Sequence, residues 1–244
     1  MAIKCVISGV GGSHDATVET AIIANSSLVD AEIEQRGDES FATTISYADS
    51  IGAEMVVVST VGLHGFVESA ETYYPNGIQC FVPLGSNSYI ELTAVTSIPV
   101  IVTCGAGIET AGSNQTAYGP ALEFWDRETY GSSTGAESSY SNGVIAGKLY
   151  AIKTGRNCSW WEARYCARKT ASQGGVWNKY NGYGLINVTD AIAFSGTIPL
   201  DPYNETIVSG MERLADNFKY WGQTDVTFAD LTQSFAYYEA TARL

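Results

Sequence analysis

Short, uninterrupted apolar segments alternate along the chain with segments of helical spacing, and this alternation constrains the fold most strongly. The apolar segments, which we predict to be strands, are 3–8, 28–33, 55–59, 78–84 and 99–104. The helical segments between them are 14–24, 40–51 and 67–74. Because several strands are apolar without alternation, they are typical of central parallel strands covered on both faces. The pattern predicts a three-layer α/β fold with a mostly parallel sheet and helices on both faces.

The second half of the chain contains a long loop rich in Gly, Ser and Thr, followed by more helical segments. The helices predicted after this loop are 141–153, 159–170 and 188–194. After them, Pro199 and Pro202 interrupt regular structure, and the remaining residues alternate polar and aromatic side chains. We therefore predict an α/β domain over 1–194 and a C-terminal extension over 195–244. The extension is expected to dock on the domain or on a neighbouring subunit, or its aromatic side chains complete the domain's own core.

Charge excludes several classes of partner. The formal net charge is -13, which disfavours binding to nucleic acid or to anionic lipid.

No segment approaches the apolar length of a membrane span. The first residues lack the charged, apolar and small-residue pattern of a secretory signal, so synthesis in a cytoplasm is expected.

The cysteines and histidines do not form a recognisable metal site. The chain has five cysteines and two histidines, and no two cysteines form a C-x-x-C pair. Most of the cysteines lie in apolar segments, which predicts buried free thiols. We expect no metal and no cofactor.

Two segments in the second half carry a family resemblance. Ser139-Tyr-Ser-Asn-Gly-Val-Ile-Ala-Gly147 resembles the nucleophile helix of the subtilisin-like serine proteases, with Ser139 at the nucleophile. About thirty residues later, Gly182-Tyr-Gly-Leu-Ile-Asn-Val188 resembles the family's Gly-x-Gly-Leu-Ile-Asn-Val segment. The resemblance extends over roughly 3–194 and implies a subtilisin-like fold.

Earlier segments resemble the family's remaining catalytic elements but lack their functional residues. Cys5 to Gly9 resembles the strand that ends in the catalytic aspartate, with Ser8 in place of the acid. The segment from His14 to Ala24 resembles the histidine helix. When the two segments are matched residue by residue, the catalytic histidine corresponds to Thr17. The oxyanion asparagine corresponds to Ser86. The resemblance therefore implies vestigial positions at Ser8, Thr17, Ser86 and Ser139.

A serine hydroxyl needs an adjacent base, and that base needs an orienting carboxylate. With Ser8 and Thr17 at those positions, we expect a pseudoenzyme in which Ser139 is retained as a helix N-cap. The alternative is a shifted arrangement of Ser139 and His14 with Asp15 or Glu137. Adjacent side chains on a helix do not face each other, which argues against Asp15 as the group that orients His14.

Three further features have ordinary structural explanations. His64 follows the third predicted strand and is interpreted as a surface-loop histidine. The glycine-rich segment 9–13 precedes a helix but lacks a complete nucleotide fingerprint, so a tight turn is favoured. Glu123 and Asp126 are interpreted as members of a solvated face rather than an acid–base pair.

Without its chemistry, a subtilisin-like fold offers shape and surface, which predicts a non-catalytic binding or structural module. We expect protein partners, as a homo-oligomer or a larger assembly, and one such setting is a bacteriophage virion, as a capsid decoration or tail protein. The competing hypothesis is a divergent serine hydrolase that uses Ser139 with His14.

Overall fold

The six strands form one sheet in which every pair is parallel. The structure, a computed structural model, describes residues 2–59, 66–85, 100–108, 112–119, 122–128, 138–199 and 201. The strands are β1 Cys5–Ser8, β2 Ile33–Gln35, β3 Met55–Val58, β4 Gln79–Pro83, β5 Ile101–Ile108 and β6 Phe124–Glu128. Their order across the sheet is β2-β1-β3-β4-β5-β6, and the pairings are parallel. All carboxyl ends therefore meet at one edge, here called the carboxyl edge, and all amino ends at the opposite amino edge.

Six α-helices surround the sheet and begin close to the predicted positions. They are α1 Gly12–Ala24, α2 Phe41–Ser50, α3 Phe66–Tyr73, α4 Ser138–Arg156, α5 Trp160–Thr170 and α6 Val188–Ala193. Ser40 caps α2 by accepting a hydrogen bond from the Thr43 amide. Ser159 and Glu162 form a reciprocal capping box at α5. These caps satisfy amides that have no partner within the helix.

Two apolar cores cover the two faces of the sheet. On one face, α1, α4, α5 and α6 pack against strand side chains that include Ile7, Val57 and Phe81. On the other face, α2 and α3 pack against the alternate strand positions, which include Val6 and Val56. Because consecutive strand side chains point to opposite faces, each central strand contributes to both cores. This confirms the predicted three-layer α/β architecture.

The two edge strands differ from the prediction. The segment predicted as the second strand, 28–33, instead contains a short 3₁₀ turn, and β2 forms over Ile33–Gln35. The strand β6 was not predicted, because its sequence includes the charged residues Asp126, Arg127 and Glu128. An edge strand is not enclosed by neighbours on both sides, so it need not be a continuous apolar segment.

The first residues of the predicted extension lie on the domain. The Trp161 indole donates to the Pro199 carbonyl oxygen at 2.8 Å, and the Tyr74 hydroxyl donates to an Asp201 carboxylate oxygen at 2.7 Å. Docking of the extension beyond Asp201 remains a prediction, since 202–244 lie outside the described residues. Among the described helices, none has both the length and the apolar character needed to cross a bilayer.

Candidate functional site

Two of the four vestigial positions meet at the carboxyl edge of the sheet. Ser8 is the last residue of β1, and its carbonyl oxygen accepts a hydrogen bond from the Ser59 amide at 2.8 Å. Ser59 directly follows β3, and its own carbonyl oxygen accepts a hydrogen bond from the Ser139 hydroxyl at 2.9 Å. All three serines are buried. The structure therefore joins the end of β1 to the first turn of α4 through Ser59.

Ser139 is not a helix cap, contrary to the expectation from sequence. The helix α4 begins at Ser138, so Ser139 lies within its first turn. Its hydroxyl donates to the Ser59 carbonyl of another element instead of accepting a hydrogen bond from an amide of its own helix. The side chain thus points toward the carboxyl edge of the sheet.

The first turn of α4 is fixed to four strands by two buried polar side chains. The Asn142 amide donates to Val58 O in β3 at 2.7 Å and to Phe81 O in β4 at 3.1 Å. The Ser141 hydroxyl donates to Gly105 O in β5 and accepts a hydrogen bond from the Asp126 amide in β6. Sequence analysis missed both roles, although polar side chains on a helix that is otherwise buried are a signal of such contacts.

The residue that α1 contributes to this cluster is Asp15. Its side chain is fully buried. One carboxylate oxygen accepts a hydrogen bond from the Ser59 hydroxyl at 2.6 Å, and the other accepts one from the Gly11 amide at 3.0 Å. Asp15 and Ser139 therefore both contact Ser59. The Asp15 carboxylate accepts from the Ser59 hydroxyl, and the Ser139 hydroxyl donates to the Ser59 carbonyl oxygen.

Thr17, which the resemblance places at the histidine position, is hydrogen-bonded within its own helix. It is half-buried, and its hydroxyl donates to Ser13 O at 2.8 Å. His14, one turn earlier, lies beside Asp15: its Nδ1 lies 3.6 Å from Asp15 Oδ1.

The His14 imidazole is half-buried. Its side chain is 35% exposed, but Nδ1 is buried and has no hydrogen-bond partner. At 3.6 Å from Asp15 Oδ1, Nδ1 lies just beyond hydrogen-bond distance. A buried ring nitrogen without a partner is unusual in a structural histidine.

The helices α1 and α4 pack in parallel through two glycines of α4. A Cβ on Gly143 would lie 2.8 Å from Val18 O, and a Cβ on Gly147 would lie 2.7 Å from Ile22 O. Both contacts are too close for a larger residue, so the two backbones touch. One turn before Val18 is His14, and one turn before Gly143 is Ser139. The parallel packing therefore brings His14 and Ser139 to the same end of the helix pair.

Gly9 leaves room for the cluster at the end of β1. A Cβ at this position would overlap the Ser59 hydroxyl and the Asp15 carboxylate. The glycine-rich segment 9–13 was expected to be a tight turn; instead the chain bends at 9–10 and enters α1 at Gly12. The Gly11 amide, just before α1, donates to Asp15. A buried carboxylate at this helix terminus disfavours a phosphate there, because both groups are anionic.

Three of the remaining sequence candidates, Ser86, His64 and Glu137, lie outside the described residues. Glu123 and Asp126, expected on a solvated face, are instead buried; Glu123 pairs with Arg164 and Arg168, and Asp126 pairs with Lys148. That expectation was wrong, because their cationic partners come from helices distant in sequence.

The cysteines are free thiols, as predicted. Burial raises the thiol pKa of Cys5, Cys80 and Cys104, and burial is also the main cause that raises the pKa of half-buried Cys158 to about 11. Such thiols are protonated at neutral pH and are poor nucleophiles. Within the described part of the chain, no group of three or more His, Cys, Asp or Glu side chains is arranged to hold a metal ion.

Solved structures with this fold are proteases and components of secretion complexes. The maturation protease PagA of prenylagaramide has a TM-score of 0.57 and 14% identity, covering 78% of this chain and 93% of PagA. MycP1 from Mycobacterium smegmatis has a TM-score of 0.58 and 12% identity, covering 82% of this chain and 81% of MycP1. Fervidolysin from Fervidobacterium pennivorans, a keratinolytic enzyme related to subtilisin, has a TM-score of 0.55 and 12% identity, covering 81% of this chain and 43% of fervidolysin.

No protein-family model matches the sequence, and no curated protein matches it. At these identities the likeness to solved structures establishes the fold alone. The chain has a subtilisin-like fold.

Proposed function

Starting from the subtilisin-like fold, we propose that this chain is a serine hydrolase in which Ser139 is the nucleophile and His14 is the general base. One observation carries the proposal: His14 and Ser139 occupy the first turns of two helices that pack in parallel through Gly143 and Gly147. In the proposed reaction the acyl group of a peptide bond is transferred to the Ser139 oxygen, and the amine leaves with the proton that His14 took from the hydroxyl. Water then hydrolyses the acyl-enzyme and regenerates Ser139.

The chemistry requires one local rearrangement. In the resting arrangement the Ser139 proton is directed to the Ser59 carbonyl oxygen at 2.9 Å. Rotation of the Ser139 side chain toward His14 would let the imidazole accept that proton as the hydroxyl attacks a carbonyl carbon. Hydrogen bonds between catalytic groups are often long or misaligned before substrate binds, so the resting geometry is compatible with this role.

The expectation of an inert scaffold rested on Ser8 and Thr17 at the positions of the acid and the base. The Thr17 hydroxyl donates to Ser13 O of its own helix, whereas His14 and Asp15 bring an imidazole and a carboxylate to the first turn of α1. The hydrolase hypothesis is therefore favoured over the pseudoenzyme hypothesis.

A fluorophosphonate probe tests the proposal, because it labels serine hydroxyls only when they are activated. We expect mass spectrometry to find the adduct on Ser139. Labelling should be lost in Ser139→Ala and should fall by at least about a hundred-fold in His14→Gln, since the hydroxyl loses its base.

Thr17→Ala is the matched control, because Thr17 lies on the same helix and was the alternative base position. It should label like the wild type. A wild-type protein that takes up no probe, or an adduct on another residue, would refute the proposed hydrolase.

A second candidate is a non-catalytic structural module, such as a capsid decoration or tail protein of a virion. The observation that favours it is the hydrogen bond from Ser139 to the Ser59 carbonyl, since that proton is not directed to an imidazole. This candidate predicts an unlabelled wild type that forms homo-oligomers or larger assemblies. Size-exclusion chromatography with light scattering measures that outcome.

A further inference from the structure

The end of β1, where a subtilisin-like fold is expected to carry its acid, has no carboxylate here. Ser8 ends the strand and is buried. The next residue, Gly9, has no side chain, and a Cβ there would overlap Asp15 and Ser59. The space beside β1 is therefore occupied by a carboxylate that comes from α1.

We propose that Asp15 on α1 has taken over the orientation of His14, and that Ser59 is the residue that positions Asp15. This inference rests on the proposed hydrolase function and assigns two positioning residues to the same site. The Ser59 hydroxyl holds Asp15 Oδ1 at 2.6 Å, and the Gly11 amide holds Oδ2 at 3.0 Å. With both oxygens held, the carboxylate has a fixed direction.

Adjacent residues on a helix point about 100° apart, so Asp15 and His14 do not stack on one face. Asp15 points toward the strand ends, where it contacts Ser59. His14 lies one turn before Val18, whose carbonyl oxygen approaches α4 at Gly143. His14 Nδ1 is buried without a partner at 3.6 Å from Asp15 Oδ1. A shift of about half an ångström would complete that hydrogen bond.

The Asp15 carboxylate is buried beside His14, and its Oδ1 lies 3.6 Å from Nδ1 of the imidazole. Other charged or titratable side chains lie on the elements around it. Arg36, in the turn after β2, is paired with Glu34 and Glu39. The same turn contains Asp38, α4 contributes Tyr140, and Glu19 one turn along α1 accepts a hydrogen bond from Gln35. Asp15 is the carboxylate that we expect to orient the His14 ring.

Imidazole NMR tests the pairing directly. The chain has two histidines, so His64→Gln leaves His14 as the single reporter. In that background, Asp15→Asn should change the chemical shifts of the His14 ring nitrogens, because Nδ1 loses the carboxylate that orients the ring. Ser59→Ala should change them less, since Asp15 remains but loses one hydrogen bond.

Asp38→Asn is the matched control, because Asp38 is an exposed aspartate at the same edge of the sheet. It should leave the chemical shifts of the His14 ring nitrogens unchanged. Circular dichroism of each variant checks that the fold is intact. If Asp15→Asn does not fold, the Ser59→Ala shift still decides the inference.

The labelling rate of Ser139 gives the second measurement. In Asp15→Asn we expect the labelling rate to fall by about a hundred-fold or more, because the imidazole loses the carboxylate that orients it. A folded Asp15→Asn protein with unchanged His14 ring-nitrogen chemical shifts and unchanged labelling overturns this inference while leaving the hydrolase intact. An unlabelled wild type refutes the hydrolase, and the NMR shift then still reports whether Asp15 and His14 are coupled.

Discussion

At the amino edge of the sheet each of two carboxylates lies between two cations, whereas at the carboxyl edge Asp15 is held by a hydroxyl and an amide. Glu123, just before β6, contacts Arg164 and Arg168 at 2.7 Å each. Glu54, just before β3, contacts Lys4 at 2.8 Å and Lys153 at 2.6 Å. The ionisable side chain beside Asp15 is His14, whose Nδ1 lies 3.6 Å from Asp15 Oδ1.

The two edges therefore use buried charge differently. Burial works to raise the pKa of Glu123, but Arg164 and Arg168 outweigh it and hold the pKa below its usual value. Burial likewise works to raise the pKa of Glu54, and the hydrogen bonds and charges of Lys153 and Lys4 lower it overall. A carboxylate that is neutralised by two cations fixes structure. Asp15 is instead held by the Ser59 hydroxyl and the Gly11 amide, and it lies beside His14.

The largest effect on stability is expected at Glu123. The change Glu123→Gln removes the buried negative charge that Arg164 and Arg168 both contact, which should destabilise the fold by about 3–5 kcal/mol. Urea unfolding followed by circular dichroism measures the free energy of unfolding. A loss under about 1 kcal/mol would contradict the structural role of the amino edge.

A smaller effect is expected where α4 touches α1. In Gly143→Ala the new methyl group would lie 2.8 Å from Val18 O, so the helices must separate. We expect a loss of about 1–2 kcal/mol after the gain in helix propensity is counted. Labelling of Ser139 should also fall, because His14 moves with α1.

Gly155→Ala is the control on the same helix. Its methyl group would meet the end of the Ile192 side chain, which is exposed enough to rotate away. The free energy of unfolding of Gly155→Ala should be unchanged or slightly higher than that of the wild type. If Gly143→Ala behaves like Gly155→Ala, the close contact of the helices does not hold the site together.

The smallest effect is expected at Glu54, which is partly exposed. The change Glu54→Gln should destabilise the fold by at most about 1 kcal/mol at neutral pH. Because the folded-state pKa of Glu54 is lowered from 4.5, this difference is present above about pH 4.5 and is lost as the pH falls through the folded pKa. Unfolding of both proteins as a function of pH measures it, and a difference that grows at low pH would contradict the assignment.

The central part of the fold could be predicted because burial leaves a local trace in the sequence. The strands β1, β3 and β4 are covered on both faces, so their sequences are continuous apolar segments. The edge strands β2 and β6 lack this trace, and one was predicted several residues early while the other was missed. The helices were predicted well, because their caps and spacing are also local features.

The site was predicted in part. Ser8 was predicted at the end of the first strand and lies there, whereas Ser139 was expected to cap its helix and instead lies within the first turn of α4. His14 was recognised as an alternative to Thr17. The positions of Asp15 and Ser59 could not be predicted, because their contact joins residues 44 apart in sequence. Helix geometry alone argued against Asp15, and the sequence does not show which elements pack on either side of α1.

The sequence by itself determined the layered α/β architecture, since the period of apolar residues specifies which face of each element is buried. Only the tertiary structure decided which residue in the first turn of α1 reaches the end of β3. That choice depends on how closely α1 approaches α4 and on the space left by Gly9. Both are contacts between segments distant along the chain, and neither leaves a local periodic pattern.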